Sequence, residues 1–211
     1  MKIALVAATG NIGRHIAARA LQRGHQVTAI ARSARTLSPE LAGAQLAVAG
    51  LSDTAALAAA VRGHDVLASA YGPGATDANT IVAATRDLIA AARAAGVRRV
   101  VVVGGAGSLE VAPGVQLVDT PTFPAAYKPY AIAHREALAL LRAASDLDWT
   151  FYAPAAEIGP GEALGKFRTG TNTLIAGSDG RSRISYPDYA QAFVDELETA
   201  RYAKQIATVA Y

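Results

Sequence analysis

The chain has 211 residues, 52% hydrophobic and 18% charged, with no cysteine. A chain of this length buries about 70% of the surface its unfolded form exposes, so it needs neither disulfide nor metal to fold. The lack of cysteine excludes disulfide scaffolds, thiolate catalysis and Cys-ligated zinc or iron–sulfur centres, and accords with a reducing cytoplasm.

Twenty basic and 17 acidic residues leave a net charge of +3, and Arg98-Arg99 is the only adjacent basic pair. No stripe of charge is present to track phosphates, so nucleic-acid binding is not expected. The apolar run Ile3–Ala8 is too short for a secretion signal and breaks at Thr9-Gly10-Asn11. The longest apolar helical stretch, Ile81–Ala95, carries Arg86, Asp87 and Arg93, so no bilayer span is expected. The expectation is a soluble cytoplasmic protein, monomer or homodimer.

Alanine fills 50 of the 211 positions and blurs helical periodicity, so strands are the clearer signal. Lys2–Ala8 reads as a first strand, Asn11–Arg23 as a first helix and Gln26–Ala31 as a second strand. Ser33–Gly43 is too weakly helical for a regular crossover. Gln45–Ala49, Asp65–Ala70, Arg98–Val103 and Trp149–Ala153 supply four more strands, separated by helices over Thr54–Arg62, Thr76–Ala95 and Pro129–Ala144. The strands are short, mostly β-branched and apolar on both faces, as buried parallel strands are. Their alternation with helices predicts right-handed βαβ units and an α/β, Rossmann-like doubly wound parallel sheet. Gly24, Gly63 and Gly96 each follow a helix and precede a strand, where a left-handed cap belongs. Pro129 suits a helix first turn.

Beyond Ala153, Pro154–Gly170 reads as a long loop. Thr171–Ala176 and Arg181–Ser185 flank Gly177-Ser178-Asp179-Gly180 as a hairpin. A helix from Tyr186 to about Ala200 and a strand over Gln205–Ala210 complete the chain. The expectation is one domain over residues 1–211, in which residues 154–211 form a small substrate-covering lobe.

Chemistry concentrates after the first strand, at Ala7-Ala8-Thr9-Gly10-Asn11-Ile12-Gly13. Gly10 lets the backbone approach a pyrophosphate, Gly13 lets helix and strand pack closely, and the helix N-terminus offers free N–H groups to the phosphates. At the end of the second strand an NAD-selecting site carries an acid for the ribose 2′-hydroxyl; here the strand runs into Arg32-Ser33-Ala34-Arg35. Arg32 is placed to stack on adenine and pair with a 2′-phosphate, assisted by Ser33 and Arg35, which favours NADP(H) over NAD(H). Leu51, Ala70-Tyr71-Gly72, Gly104-Gly105 and Pro154-Ala155-Ala156 follow strands three to six, where open sheets bind ligands. Asp53 is the expected N-cap of the second helix.

These residues resemble an atypical short-chain dehydrogenase/reductase, similar to NADH-flavin reductases and flavin/biliverdin reductases and more distantly to NmrA-like proteins. The resemblance spans essentially the whole chain. It rests on Ala8–Gly13, Arg32, Val102–Ser108, Asp148–Thr150 through Pro154–Ile158, and Thr208–Tyr211. It implies a Rossmann-like fold that uses NADPH or NADH to reduce flavins or related conjugated acceptors, FMN among them.

Three departures stand out. Ala7 replaces a glycine of the phosphate motif and is tolerable where its φ stays negative. No Tyr-x-x-x-Lys pair exists; Tyr130-Ala131-Ile132-Ala133-His134 offers Tyr-x-x-x-His, with His134 falling where flavin/biliverdin reductases carry a histidine. Gly105 stands where those reductases have an active-site serine, with Ser108 nearby but out of register. The candidate catalytic side chains are His134, Glu157 and Ser108. Tyr71, Tyr127 and Tyr152 are expected to border the acceptor pocket, with Phe167, Arg168 and the hairpin as its lid. His15, His25 and His64 read as structural, and Asp195-Glu196-x-Glu198 as a solvated helix face; no metal site is expected.

The leading functional reading is an NADPH-dependent reductase of a flavin, quinone or similar small acceptor. A non-enzymatic dinucleotide-binding redox sensor is the alternative. A nucleotide-sugar epimerase or dehydratase is disfavoured by the missing lysine.

Overall fold

The strands are held by burial on both faces. In a computed structural model, which describes all residues except Pro73, Ala75 and Thr76, the first strand β1 (Lys2–Val6) sends Ile3 and Leu5 into one apolar layer and Ala4 and Val6 into the other. With no polar face, its period of two vanishes from the sequence and a continuous apolar run remains.

The elements follow as α1 (Asn11–Gln22), β2 (Gln26–Ala31), β3 (Gln45–Val48), α2 (Thr54–Val61), β4 (Val66–Ser69) and α3 (Thr80–Ala95). Next come β5 (Arg99–Val103), the short strands β6 (Glu110–Ala112) and β7 (Val115–Gln116), α4 (Lys128–Ala143) and β8 (Asp148–Ala153). The remainder is β9 (Glu157–Gly159), β10 (Arg168–Gly170), β11 (Arg183–Ser185), α5 (Tyr186–Thr199) and β12 (Gln205–Ala210). Eight strands form the central sheet in the order β10-β12-β8-β5-β4-β1-β2-β3. Every neighbouring pair is parallel except β10 with β12. This is a Rossmann-like α/β architecture whose strand order reverses beside β1.

Helices α1 and α5 cover one face, where Ile16, Tyr152, Tyr189 and Phe193 are buried. Helices α2, α3 and α4 cover the other, over Leu57, Leu88, Leu141 and Phe151. The expected caps are present: Gly24, Gly63 and Gly96 have φ of 78°, 80° and 74°. The Asp53 carboxylate accepts the Ala56 N–H at 3.0 Å. The weak second crossover contains only a single 3₁₀ turn, Pro39–Leu41, anchored by buried Leu41. Helix α3 begins at Thr80; its expected start at Thr76, and Pro73 of the preceding loop, lie outside the described residues. No helix among the described residues is long and apolar enough to cross a membrane.

The region after Ala153 differs from expectation. The hairpin across residues 177–180 does not form: its turn is closed by the Gly177 N–H on the Arg181 carbonyl at 2.8 Å, but β11 pairs in parallel with β9 instead. Strand β9 lies inside the stretch read as loop, and so does β10, which pairs antiparallel with β12. Residues 171–176 form no strand, and Thr173 makes an isolated bridge to Glu110. The parallel pairing wins because it sets Ile184 opposite Ile158 and buries it. Ser182 fixes the register, its carbonyl taking the Glu157 N–H at 2.9 Å and its hydroxyl the Ala156 N–H at 3.2 Å.

Helix α5 brings a second correction. Asp195 and Glu198 pair with Arg23, and Glu198 with His25, but Glu196 is 2% exposed. Its carboxylate meets the Arg99 guanidinium at 2.6 Å and accepts the Thr150 hydroxyl at 2.9 Å and the Tyr202 N–H at 3.1 Å. A buried charge requires such partners, and these tie α5 to β5 and β8.

Candidate functional site

The turn between β1 and α1 is built by Ala7 in the left-handed region, with φ of 58°, and by the Gly10 N–H on the Ala7 carbonyl at 3.0 Å. The condition for tolerating a methyl here, a negative φ, is not met: the turn holds Ala7 at a positive φ, and alanine bears a strain of about 1 kcal/mol. Gly13 is obligatory. A Cβ there would lie 2.1 Å from the Ala7 carbonyl oxygen, so α1 could not reach the turn. Gly10 is different, since a Cβ would meet only that oxygen, at 3.4 Å, and is otherwise in open space. Gly10 caps α1 without a side-chain bond, and the first helical turn holds no acid. The leading N–H groups therefore keep their partial positive charge.

Above this turn, at the carboxyl ends of β1 to β4, lies a cleft of about 390 Å³. Ala7, Thr9 and Gly10 form its floor, Arg32 and Arg35 its flank after β2, and Leu51, Tyr71 and Gly72 the opposite side. Arg35 donates to the Thr9 hydroxyl at 3.0 Å across the mouth. Arg32 is exposed, and no carboxylate among the described residues lines the cleft. Of the other expected contacts, Asn11 is exposed on the first helical turn, Ile12 packs into the core and Ser33 lies outside the lining. The Ala70 N–H is spent on the Val6 carbonyl at 3.1 Å.

Beyond β5, two glycines make room for rings. A Cβ on Gly104 would fall 2.2 Å from Phe151 Cε1, and one on Gly105 would fall 2.9 Å from His134 Cδ2. The imidazole stands edge-on to Phe151, centroids 6.1 Å apart, and burial lowers its pKa to about 4. His134 is neutral at pH 7 and has no hydrogen bond among the described residues. With Tyr71 and Ser69 it borders a void of about 20 Å³, room for one water. Ser108 is 2% exposed, its hydroxyl unpartnered among the described residues, and lines neither this void nor the cleft.

A larger cleft of about 750 Å³ opens between the chain after β8, β11, Tyr127 and Tyr211. Ala156 and Glu157 line it, whereas Pro154 and Ala155 are buried beneath. Arg181 lies 2.5 Å from the Glu157 carboxylate and holds its pKa below the usual range, so Glu157 cannot donate a proton at neutral pH. The wall is organised by Asp188, which is wholly buried. Asp188 accepts the Leu164 and Gly165 N–H groups at 2.8 and 2.9 Å and the Tyr211 hydroxyl at 2.7 Å.

Tyr152 does not border either cleft. It is 1% exposed and packs edge-on against Tyr189 and Phe193 on the α1/α5 face. Nor do Phe167 and Arg168 line the larger cleft; the Arg168 guanidinium ties the Ala176 and Tyr211 carbonyls together. The three remaining histidines have structural partners. His15 stacks on Tyr186, His25 meets Glu198, and His64 bridges Thr28 and the Val61 carbonyl. No metal-binding cluster exists among the described residues. The sequence reading missed Asp188, Leu164 and Glu162. It noted Tyr211 only within the resemblance; Asp188, Leu164 and Tyr211 meet the site through partners far along the chain, and Glu162 reaches it on the loop that Asp188 pins.

The sequence model of a family described as NAD(P)H-binding matches residues 7–200. The chain belongs to that NAD(P)H-binding family. The uncharacterized protein YwnB of Bacillus subtilis is 36% identical, covering 99% of this chain and 98% of its own. A Burkholderia pseudomallei structure, of a protein provisionally described as exported, is 56% identical over the full length of both chains with a TM-score of 0.94. A Streptococcus pneumoniae structure, provisionally assigned as an NADH-flavin reductase, is 33% identical over 100% of this chain and 99% of its own, with a TM-score of 0.89.

Proposed function

We propose that this family member is an NADPH-dependent reductase of a small planar acceptor such as a flavin or quinone. The observation that carries the reading is the 390 Å³ cleft, where the phosphate turn faces two arginines and no carboxylate. That donor set fits a nicotinamide dinucleotide with a 2′-phosphate. Open space at Gly10 and the uncapped α1 N-terminus suit the diphosphate; Arg32 and Arg35 suit the 2′-phosphate. NADH lacks that phosphate and is the weaker donor in this reading.

When bound, the reduced nicotinamide supplies a hydride from C4, which with one proton from water completes a two-electron reduction of the acceptor. The protein's own part is to orient the two rings and exclude solvent. His134 is neutral and cannot replace the ammonium that lowers a tyrosine pKa in Tyr-x-x-x-Lys sites. This argues against epimerase or dehydratase chemistry and suits an acceptor that needs no protein acid. Residues 154–211 serve as the lobe over the acceptor, within one domain. The S. pneumoniae relative supports the same reaction class. The compartment is the cytoplasm in this reading, which fractionation of the native host would test against the exported description of the Burkholderia relative.

The test is NADPH consumption with riboflavin, FMN and quinones, beside calorimetry of dinucleotide binding. Turnover with at least one acceptor is expected. Binding without turnover would favour the redox-sensor reading, and no binding of either dinucleotide would overturn both.

A further inference from the structure

The 750 Å³ cleft carries a charge pattern that neither the fold nor the family assigns. Of the charged residues lining it, Glu157 is neutralised by Arg181 at 2.5 Å and Arg183 by Asp179 at 2.7 Å. Glu162, on the loop pinned by Asp188, has no partner among the described residues and is exposed. The lining thus holds one uncompensated negative charge and no uncompensated positive one.

An aromatic surface faces the same space. Tyr127 is 66% exposed, the most exposed of the large apolar side chains, and makes no side-chain hydrogen bond among the described residues. It stands at the end of the 3₁₀ turn Ala125–Tyr127. Pro121, Pro124 and Pro129 bracket that turn and restrict the backbone that presents the ring. An exposed, unpartnered ring on a proline-bracketed turn beside a cleft is a stacking surface for a flat molecule. Tyr211, across the cleft, has its hydroxyl fixed by Asp188 and the Ser185 N–H.

We infer that this cleft takes an uncharged planar acceptor stacked on Tyr127, and that Glu162 disfavours acceptors carrying phosphate. The inference rests on the reductase reading, but its test does not need turnover. Riboflavin and FMN share one ring system and differ by a phosphate, so their affinities isolate the charge. At roughly 8 Å in a watery cleft, a doubly charged phosphate and one carboxylate repel by about 1 kcal/mol, a factor of about five in affinity.

Quenching of flavin fluorescence by the whole protein at low ionic strength is expected to show riboflavin binding about fivefold more tightly than FMN. The gap should close in Glu162→Gln and at high salt. Tyr127→Ala should weaken both flavins about tenfold, while Tyr127→Phe retains them. Circular dichroism of each variant checks that it is folded. Equal or tighter FMN binding overturns the inference, as does an unchanged ratio in Glu162→Gln, an unaffected Tyr127→Ala, or no binding of either flavin. NADPH consumption measured in parallel separates the two claims. Riboflavin binding with this pattern but no turnover would sink the reductase reading and leave the site. Turnover with FMN favoured would do the reverse.

Discussion

Two glycines three residues apart should respond to the same added methyl in opposite ways. In Gly13→Ala the new Cβ would start 2.1 Å from the Ala7 carbonyl oxygen and 2.9 Å from its carbon, both backbone atoms with no rotamer to retreat into. Restoring ordinary contact requires α1 to move about 1 Å away from the turn, an overpacking that costs about 1–3 kcal/mol. A 2.1 Å contact with a backbone atom belongs at the top of that range, about 3 kcal/mol, so after alanine regains up to about 1 kcal/mol of helix propensity the net loss is about 2 kcal/mol. For a chain of this size that is a fall in Tm of about 4–8 °C. In Gly10→Ala the nearest atom is at 3.4 Å and the backbone, at φ −76° and ψ 174°, is one that alanine adopts freely. Stability should stay within about 0.5 kcal/mol of the parent, yet the methyl enters the space assigned to the diphosphate and should weaken NADPH at least tenfold. Thermal unfolding and calorimetry on the two variants give four numbers. A Gly13→Ala protein as stable as the parent would refute the packing argument. A Gly10→Ala protein that binds NADPH normally would remove the diphosphate from this turn.

Arg32→Asp should lower NADPH affinity by about 1.5–3 kcal/mol, tenfold or more, with a much smaller effect on NADH, as competition titrations would show. Ala7→Gly relieves about 1 kcal/mol of strain at the positive φ of 58° but adds about 0.4–1 kcal/mol of freedom to the unfolded chain, so stability in urea unfolding should rise by no more than about 0.6 kcal/mol. The folded chain lowers the His134 pKa from 6.5 to about 4. The unfolded chain therefore takes up a proton first as pH falls, and His134 withdraws about 2–3 kcal/mol of stability between about pH 6.5 and 4. His134→Gln should show a shallower loss across that window.

The parallel core was legible because its information is local. Runs such as Val100–Val102 are apolar at every position, and the glycines after α1, α2 and α3 mark the handed caps that end each helix. The tight turn after β1 and the position of Arg32 at the end of β2 were readable for the same reason: strand, turn and helix are contiguous. Features that depend on distant partners were not. Residues 181–185 looked like half of a hairpin, and nothing nearby reveals that Ile184 belongs beside Ile158. Glu196 reads as solvated until Arg99, on another strand, arrives at 2.6 Å. Tyr152 sits on a strand buried on both sides, so periodicity could not say which face it takes. It faces Tyr189 and Phe193, away from both clefts.

The Asp188 hub separates the two clefts in what each depends on. Among the described residues, the lining of the 390 Å³ cleft is drawn from Val6 to Gly72 alone. The 750 Å³ cleft instead draws part of its wall from Leu164 and Tyr211, both held by the Asp188 carboxylate. A substitution at Asp188 is therefore expected to loosen the larger cleft while leaving the lining of the smaller one intact.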